Sequence, residues 1–398
     1  MAAGVLGAAL AVTFANPYDN PDSHAFEALA RSLLAGRGLV YREPMMPGLD
    51  LFAFRSPGYA VFLAGSLPLG GIRLVLAIQG ALAGIAAMLW ADLAARAGGL
   101  RAGAITAAAI LGLGLTWRFS SQLMSETLYV PLLALGAWLA IDVAERSRGG
   151  RAPGPWRVLA LGATIAAAVL TRPAGLALAA ACAALALLSP PARRSLASAL
   201  VVAVVLWSPW PLRNAAVLGA PVPSLTSGGM NAWAGATGRP IHEAWVMSAD
   251  SVALGERGLD RMFWRLARDE GRMRPAAVAS LTVHKLHDYV MPPAPRAAEW
   301  PHILLWGPAL AAPFVMRRRR GSGWALPGLP LFVWAGHALL ATVTLVSDRY
   351  RFPTDPIVLA LGGIGIDALL KRHGAARGSL AVAGWVTFGV LLALTRHH

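Results

Sequence analysis

The chain has 398 residues, of which 56% are hydrophobic and only 14% are charged, and its formal net charge is +15. Soluble domains carry about a quarter charged residues, so this composition, with a mean hydropathy of +0.55, excludes an ordinary soluble protein. The long apolar runs lack the alternating pattern of an outer-membrane barrel, so the sequence predicts an all-α polytopic membrane protein. The positive charge consists almost entirely of arginines in short loops, where it sets topology, which argues against a nucleic-acid partner.

An apolar run at residues 2–15 comes first. As a helix it would reach only about 21 Å, less than the roughly 30 Å of a bilayer core. A cleaved signal peptide would fit the small residues at its end, but no basic segment precedes it. We therefore expect a short first spanning helix.

A dense polar loop follows at residues 16–57. Among its charged and titratable residues are Asp19, Asp22, His24, Glu27, Arg31, Arg37, Glu43, Asp50 and Arg55. Apolar residues recur at helical spacing from Phe26 to Leu34, which predicts an amphipathic helix lying in the membrane interface. Asp22 stands at the start of this helix, where the helix dipole favours a carboxylate. Local physics fits both a helix cap and a catalytic carboxylate, and the two roles are compatible.

Apolar runs and short loops alternate along the rest of the chain. The further runs lie near 56–69, 72–95, 102–118, 122–144, 157–171, 173–189, 196–212, 301–316, 324–346, 352–370 and 379–395. We expect about eleven transmembrane helices in all. They divide the chain into a transmembrane module at 1–212 that carries the first loop, an extracytoplasmic region at 213–300, and C-terminal transmembrane helices at 301–398.

Basic residues mark one set of alternate loops. They are Arg96, Arg101, Arg146, Arg148, Arg151, Arg157, Arg193, Arg194, Arg317 to Arg320, Lys371, Arg372 and Arg377. The positive-inside rule places these loops in the cytoplasm. The other face then carries 16–57, 213–300 and the turns near 119–121, 171–173 and 347–351. Every loop with unusual chemistry is thus expected on the extracytoplasmic face of a bacterial cell membrane.

Four more charged residues on that face are candidates for a site. Glu126 lies in the first turn of a predicted span, where either a tolerated helix-end carboxylate or a functional ionisable group fits. Arg172, in a very short turn, could reach lipid headgroups or a lipid phosphate. Arg349 and Arg351 lie in a turn on the face where the positive-inside rule disfavours basic residues. This placement predicts an anionic partner for them, and guanidinium groups match the geometry of phosphate oxygens well.

The 213–300 region is too long for a simple connector and predicts a small subdomain with helices near 251–274 and 276–290. Its stretch 224–240 is rich in glycine and small polar residues. His284, His287 and Asp288 share a helical face, but as a metal site the pattern is weak. Cys182 lies inside an apolar run and is expected to be a packing residue. No segment matches a soluble nucleotide-binding motif.

Several motifs, taken in order, resemble the GT-C glycosyltransferases, and most closely the dolichyl-phosphate-mannose–protein mannosyltransferase-like and aminoarabinose-transferase-like proteins. In the first loop they are Asp22-Ser23-x-x-Phe26, Ala30-Arg31-x-Leu33-Leu34-x-Gly36-x-Gly38 and Arg55-Ser56-Pro57-Gly58-Tyr59. Further along they are Ser125-Glu126, Leu170-Thr171-Arg172-Pro173, Trp210-x-x-Arg213-Asn214 and Arg349-Tyr350-Arg351. Asp22-Ser23 stands where many of these proteins have an acidic pair.

This resemblance implies a transferase that moves a sugar from a polyprenyl-phosphate donor to an extracytoplasmic acceptor hydroxyl, with inversion. Asp22 would be the base, with Asp19 as the fallback, and Glu126 would orient the acceptor or the base. The implied substrate-binding residues are Arg349, Arg351, Arg172, Arg213, Tyr350, His24 and Tyr59. The implied acceptor is a lipid, a glycan or a protein, and membrane lipids are expected to surround the chain. The resemblance implies no definite cofactor and leaves a divalent cation open.

Two other function classes are weighed against this one. A transporter or lipid flippase should place ionisable residues in mid-span and repeat broken helices in two halves, whereas the spans here are nearly free of charge. A non-catalytic scaffold that binds partners through 213–300 would make the charges of residues 19–31 dispensable.

Overall fold

The computed structural model describes residues 2–291, 299–316 and 325–394, and most of them are α-helical. The first ten helices are α1 (Ala2–Thr13), α2 (Asp22–Leu34), α3 (Pro57–Gly98), α4 (Leu100–Gly112), α5 (Gly114–Ser120), α6 (Glu126–Arg148), α7 (Pro155–Thr171), α8 (Leu176–Leu188), α9 (Arg193–Trp207) and α10 (Pro209–Leu218). The others are α11 (Gly228–Thr237), α12 (Ile241–Asp250), α13 (Gly255–Met273), α14 (Pro275–Val290), α15 (Trp300–Met316), α16 (Ala325–Val343), α17 (Asp348–Arg351) and α18 (Asp355–Leu394). Single 3₁₀ turns lie at Pro173–Gly175, Pro190–Ala192, Val252–Leu254 and Phe352–Thr354.

A small antiparallel hairpin lies in the loop between α2 and α3. Its strands are Tyr41–Arg42 and Asp50–Leu51, with Tyr41 opposite Leu51. Tyr41 and Leu51 are buried, while the side chains of Arg42 and Asp50 bond to each other at 2.6 Å on the outer side. The remaining described residues form no sheet, so the chain is a helical protein as its apolar runs predict.

Four helical segments are long and apolar enough to cross a membrane. They are Pro57–Gly98, Glu126–Arg148, Pro190–Leu218 and Asp348–Gly374. The pair α4 and α5, bent by 53°, would make a fifth span. Several other predicted spans are shorter apolar helices, such as the 12-residue α1. The protein is therefore a polytopic helical membrane protein, but the number eleven is not confirmed.

Two long helices contain breaks at glycine. Runs predicted as separate spans at 56–69 and 72–95 form α3, which is interrupted at Gly70 and Gly71. Gly71 has a φ of +64°, in the left-handed region that glycine adopts without a steric penalty. Gly374, with a φ of +72°, interrupts α18 in the same way.

The helices pack closely through small residues. A Cβ atom at Gly80 of α3 would lie only 2.1 Å from the carbonyl oxygen of Gly7 in α1, so these two helices can approach only because both positions are glycine. The largest apolar core surrounds α6, and Cys182 lies in it fully buried, in agreement with a packing role.

Opposite ends of α6 carry different charged groups. At one end Asp142 accepts from Arg146 and Arg157, each at 2.9 Å. At the other end Glu126 meets Arg172, which follows α7. The arginines predicted to be cytoplasmic therefore lie at the far end of α6 from the predicted site. The predicted cytoplasmic arginines at 317–320 lie outside the described residues.

The region 213–300 is largely helical, and its predicted helices at 251–274 and 276–290 are observed as α13 and α14. It shares a second apolar core with the first loop, in which Tyr41 and Leu51 of the hairpin pack with Trp233 and Phe263. The carboxylate of Glu256 fastens the two regions by accepting the N–H groups of residues 52 and 53. The first loop and the 213–300 region thus fold as one layer, while the domain boundaries themselves stay predictions.

Candidate active site

Asp22 begins α2 and is held by two arginines. The predicted amphipathic helix is observed as α2, and its apolar side, with Phe26 and Ala30, packs against Tyr59 and its neighbours on α3. Its position in the membrane interface stays a prediction. The carboxylate accepts from Arg55 and, at 2.5 Å, from Nη1 of Arg349. Pro21, and not Asp22, is the N-cap of α2, so Asp22 is the first residue inside the helix. The partners of its carboxylate are the two arginines.

Glu126, the first residue of α6, has no exposed surface. Its Oε1 lies 2.5 Å from Nη1 of Arg172 and also accepts from Arg349. A buried carboxylate is stable only when it is paired, so these two contacts account for its position. Glu126 is therefore part of the same ionic group as Asp22, and it is not a helix-end residue facing lipid headgroups.

Arg349 joins the two carboxylates into one cluster, which we call the Asp22 cluster. Its members are Asp22, Arg55, Glu126, Arg172 and Arg349. They come from α2, the first loop, α6, the turn after α7, and α17. Three guanidinium groups face two carboxylates, which leaves one positive charge in excess. Nη1 of Arg172 also donates to the hydroxyl of Ser125 at 3.0 Å.

Two cavities meet at this cluster. The first, of about 280 Å³, is lined by Arg55, Arg172 and Arg349 together with apolar residues of α16, and we call it the arginine cavity. The second, of about 380 Å³, is lined by Asp22 and by residues of α11 and α12, and we call it the Asp22 cavity. The residues that line both are Arg55, Ser227, Asn231, Arg349 and Tyr350.

Arginine contacts decide the protonation of Asp22. Burial of the carboxyl would by itself raise its pKa, but the charges of Arg55 and Arg349 outweigh burial and lower the pKa from 3.8 to about 2. The group is therefore an anion at neutral pH. A ligand that drew Arg349 away from Asp22 would strengthen the carboxylate as a base.

A second ionic group surrounds Arg351, two residues from Arg349. Arg351 donates to Glu299 and, at 3.2 Å from its Nε, to Asp355, and its side chain is 2% exposed. His302 also contacts Asp355, at 3.0 Å from its Nδ1. Arg351 lines neither cavity. The sequence predicted anionic partners for Arg349 and Arg351. In this structure those partners are carboxylates of the protein itself, and they form two separate clusters.

The structure does not bring every predicted substrate-binding residue to the cavities. Arg213 donates at 2.7 Å to the main-chain carbonyls of residues 39 and 52 and so holds the first loop. Tyr59 is fully buried and bonded to Gln79, and His24 stacks on Tyr18 at 4.7 Å. Tyr350 lines both cavities. Asp19, the fallback base, accepts from Gln122 at 2.9 Å and lines neither cavity.

Several cavity residues escaped the sequence reasoning. Arg55 lies within a motif quoted above, but its role as an ionic partner of Asp22 depends on a contact 33 residues away. Ser227 and Asn231 belong to the glycine-rich stretch 224–240, whose composition was the only signal. The aromatic side chain of Trp245 in the Asp22 cavity carries no local signal of a site.

Metal ligation was also considered at the sequence level. Within the described ranges, no three His, Cys, Asp or Glu residues form a group that could hold a metal ion. At the end of α14, His284 donates to the carbonyl of Ser280 at 2.8 Å, and Nδ1 of His287 lies 3.7 Å from Asp288. A divalent cation stays a prediction.

Known structures share this fold, although no protein-family model and no curated protein matches the sequence. The archaeal oligosaccharyltransferase AglB from Archaeoglobus fulgidus in its apo form matches with a TM-score of 0.58 and 13% identity, over 100% of this chain and 54% of AglB. Its complex with an inhibitory peptide and a dolichol-phosphate matches with a TM-score of 0.56 and 12% identity, over the same shares. The chain thus spans about half the length of AglB. The resemblance to GT-C glycosyltransferases is confirmed for the fold.

Proposed function

We propose that the chain is a membrane glycosyltransferase that moves a sugar from a polyprenyl-phosphate donor to an acceptor hydroxyl, with inversion, at the extracytoplasmic face of a bacterial cell membrane. The observation that carries this proposal is the bonded pair of Asp22 and Arg349, which stands where the two cavities meet. A transfer between two substrates needs both to reach one base and one anion-binding group, and this junction provides that arrangement.

The arginine cavity suits the donor. Leu340 and Val343 of α16 line it and are 39% and 48% exposed, so its wall offers apolar surface to a lipid tail. A polyprenyl tail would lie along this wall. The phosphate would then meet Arg172 and Arg349, whose excess positive charge it neutralises. AglB has been solved with a dolichol-phosphate, a lipid of the same chemical kind.

The Asp22 cavity suits the acceptor. It lies between the first loop and the 213–300 region, and Ile241 and Trp245 of α12 line it together with Asp22. An acceptor placed there would present a hydroxyl to the carboxylate. The same wall would let the 213–300 region select among a lipid, a glycan and a protein acceptor.

A single displacement follows from this placement. The Asp22 carboxylate takes the proton of the acceptor hydroxyl, and the hydroxyl oxygen attacks the anomeric carbon from the side opposite the phosphate. The bond between that carbon and the phosphate oxygen breaks, and its electron pair stays on the polyprenyl phosphate. Phosphate binding also competes with Asp22 for Arg349, so the donor itself makes Asp22 a stronger base.

Glu126 acts through the arginines in this proposal. It is fully buried and lines neither cavity, so it cannot touch a substrate without rearrangement. Its Oε1 atom contacts both Arg172 and Arg349, so the carboxylate holds these two arginines next to each other. We therefore assign Glu126 a positioning role. No step above uses a divalent cation.

The experiment is a transfer assay with the protein in lipid nanodiscs, a short-chain polyprenyl phosphate carrying a sugar, and candidate acceptors. Asp22→Asn should lower the release of polyprenyl phosphate at least about 100-fold, because the base is lost, while the bare carrier still binds. Asp19→Asn is the matched control and should retain activity. Full transfer by Asp22→Asn would refute the assignment of the base, and carrier movement across the bilayer without sugar release would favour a flippase.

A further inference from the structure

Three serine hydroxyls in the walls of the cavities form no hydrogen bond with any described residue. Ser56 and Ser227 are only 4% and 3% exposed, and Ser224 is half-buried. Among the residues that the structure describes, the Oγ atom of each is buried without a hydrogen-bond partner. Buried hydroxyls normally have a partner, and leaving one without it costs free energy.

Two of these serines stand at positions where the hydroxyl usually serves the helix. Ser56 is the N-cap of α3 and Ser227 is the N-cap of α11. Serine is favoured at an N-cap because its oxygen accepts a main-chain N–H of the first turn, but neither side chain makes this bond here. Helix capping therefore does not explain these residues, and a rotation about the Cα–Cβ bond is enough to present either hydroxyl to a ligand.

The positions of the serines match the place of the transferred sugar. Ser56 and Ser224 line the arginine cavity, and Ser227 lines both cavities. In the proposed reaction, on which this inference rests, the sugar must lie between the donor phosphate and Asp22, which is the wall that the cavities share. The amide of Asn231 lies on the same wall and offers further hydrogen bonds.

Charge on this wall restricts the kind of sugar. The arginine cavity is lined by three arginines and by no Asp or Glu among the described residues. Among the described residues, Asp22 is the one carboxylate that lines the Asp22 cavity, and it is already bonded to two of those arginines. An ammonium group on the sugar would face guanidinium groups with no free carboxylate to pair with, at a partly desolvated site.

We propose that Ser56, Ser224 and Ser227 bind the hydroxyl groups of the donor's sugar, and that this sugar carries no positive charge. The serines would both donate to and accept from sugar hydroxyls, whereas Arg172 and Arg349 remain with the phosphate. Selection of the sugar then depends on the 213–300 region, which supplies Ser224 and Ser227.

The test compares binding of the bare short-chain polyprenyl phosphate with binding of the same carrier linked to glucose, mannose, galactose or glucosamine. The wild-type protein in nanodiscs should bind at least one neutral hexose carrier more tightly than the bare carrier, and the glucosamine carrier less tightly than that hexose carrier. Ser227→Ala should weaken the preferred carrier roughly tenfold, the effect of one lost buried hydrogen bond, and leave the bare carrier unchanged. Ser56→Ala provides an independent second variant.

Ser189→Ala is the matched control, because its hydroxyl is also buried without a partner but lies beside α8, away from both cavities. It should change neither affinity. The proposal is overturned if no neutral sugar improves binding, if Ser227→Ala weakens the bare and the sugar-bearing carrier equally, or if the glucosamine carrier binds as tightly as the preferred hexose carrier. Sugar-dependent binding without transfer would refute the proposed function alone, and transfer with unchanged sugar preference in Ser227→Ala would refute only this inference.

Discussion

Arg349 and Arg351 lie two residues apart, and each bonds two carboxylates, yet their surroundings differ. Arg349 bonds Asp22 and Glu126, is 19% exposed at its side chain, and lines both cavities. Arg351 bonds Glu299 and Asp355, is 2% exposed at its side chain, and lines neither of these two cavities. The chemistry of the two groups is the same, so access to a cavity is what separates a candidate site from an internal ionic support.

This difference explains why the turn at 347–351 contains two arginines. The Arg351 group ties the segment that carries Arg349 to α15 and α18 through buried contacts. A buried ion pair of this kind adds little net stability compared with apolar packing. Removing one of its partners is destabilising, however, because the other charge is left buried and unpaired. Arg351 thus fixes the segment that carries Arg349, and in the proposed mechanism Arg349 exchanges Asp22 for the donor phosphate.

The largest effect is expected when lysine replaces Arg349, with the same replacement at Arg351 as the comparison. Arg349→Lys should lower transfer about 100-fold or more, because a single ammonium cannot bridge Asp22, Glu126 and a phosphate as a guanidinium does. Arg351→Lys should leave the rate per folded molecule near that of the wild type. The measurement is transfer per mole of monodisperse protein. Equal rate losses in both variants would contradict the claim that only the Asp22 cluster takes part in transfer.

A smaller effect, on stability, should fall on the other cluster. Arg351→Met removes one partner of a buried ionic group and should lower the free energy of unfolding by about 3–5 kcal/mol. The double variant Arg351→Met with Glu299→Gln should recover part of this loss, because it also removes one of the stranded charges. Thermal unfolding in detergent measures both. An unchanged melting temperature in Arg351→Met would contradict its supporting role.

The smallest effect is expected on the pH dependence of stability, and it concerns Asp260, whose carboxylate is not paired with two arginines as Asp22 is. Asp260 accepts the N–H of Gly229 at 2.7 Å, and its burial raises its pKa from 3.8 to about 6, opposite to the shift at Asp22. The folded state therefore binds this proton more tightly than the unfolded state. Its stabilisation is complete below about pH 4 and is lost as pH rises through about 6.

Wild-type protein should accordingly melt at a lower temperature at pH 8 than at pH 5, and Asp260→Asn should flatten this dependence. Thermal unfolding at a series of pH values provides the measurement, with Asp269→Asn on the exposed side of α13 as the control. A pH dependence in Asp260→Asn as steep as in the wild type would show that the carboxyl is not the group that titrates.

Several features of the site were predictable from local patterns. The apolar spacing after Asp22 predicted α2, and the placement of Glu126 and Arg172 at ends of apolar runs predicted charged groups at the same end of α6 and α7. The same reasoning treated Arg349 and Arg351 alike, because both lie in one short turn with identical local chemistry. The resemblance to known transferases implied substrate contacts for Arg213 and Tyr59, whereas their observed partners are main-chain carbonyls of the first loop and the side chain of Gln79 in α3.

The sequence by itself determined that this is a helical membrane protein with a charged first loop, because composition and periodicity act over a few turns of chain. Only the tertiary structure decided that Asp22 meets Arg349, which is 327 residues away, and that Arg351 meets other carboxylates. Contacts over such separations depend on how all the helices pack, and no short segment encodes them. Among the described residues, the same packing leaves three serine hydroxyls of the cavity walls without a hydrogen-bond partner, and no local sequence pattern predicts this.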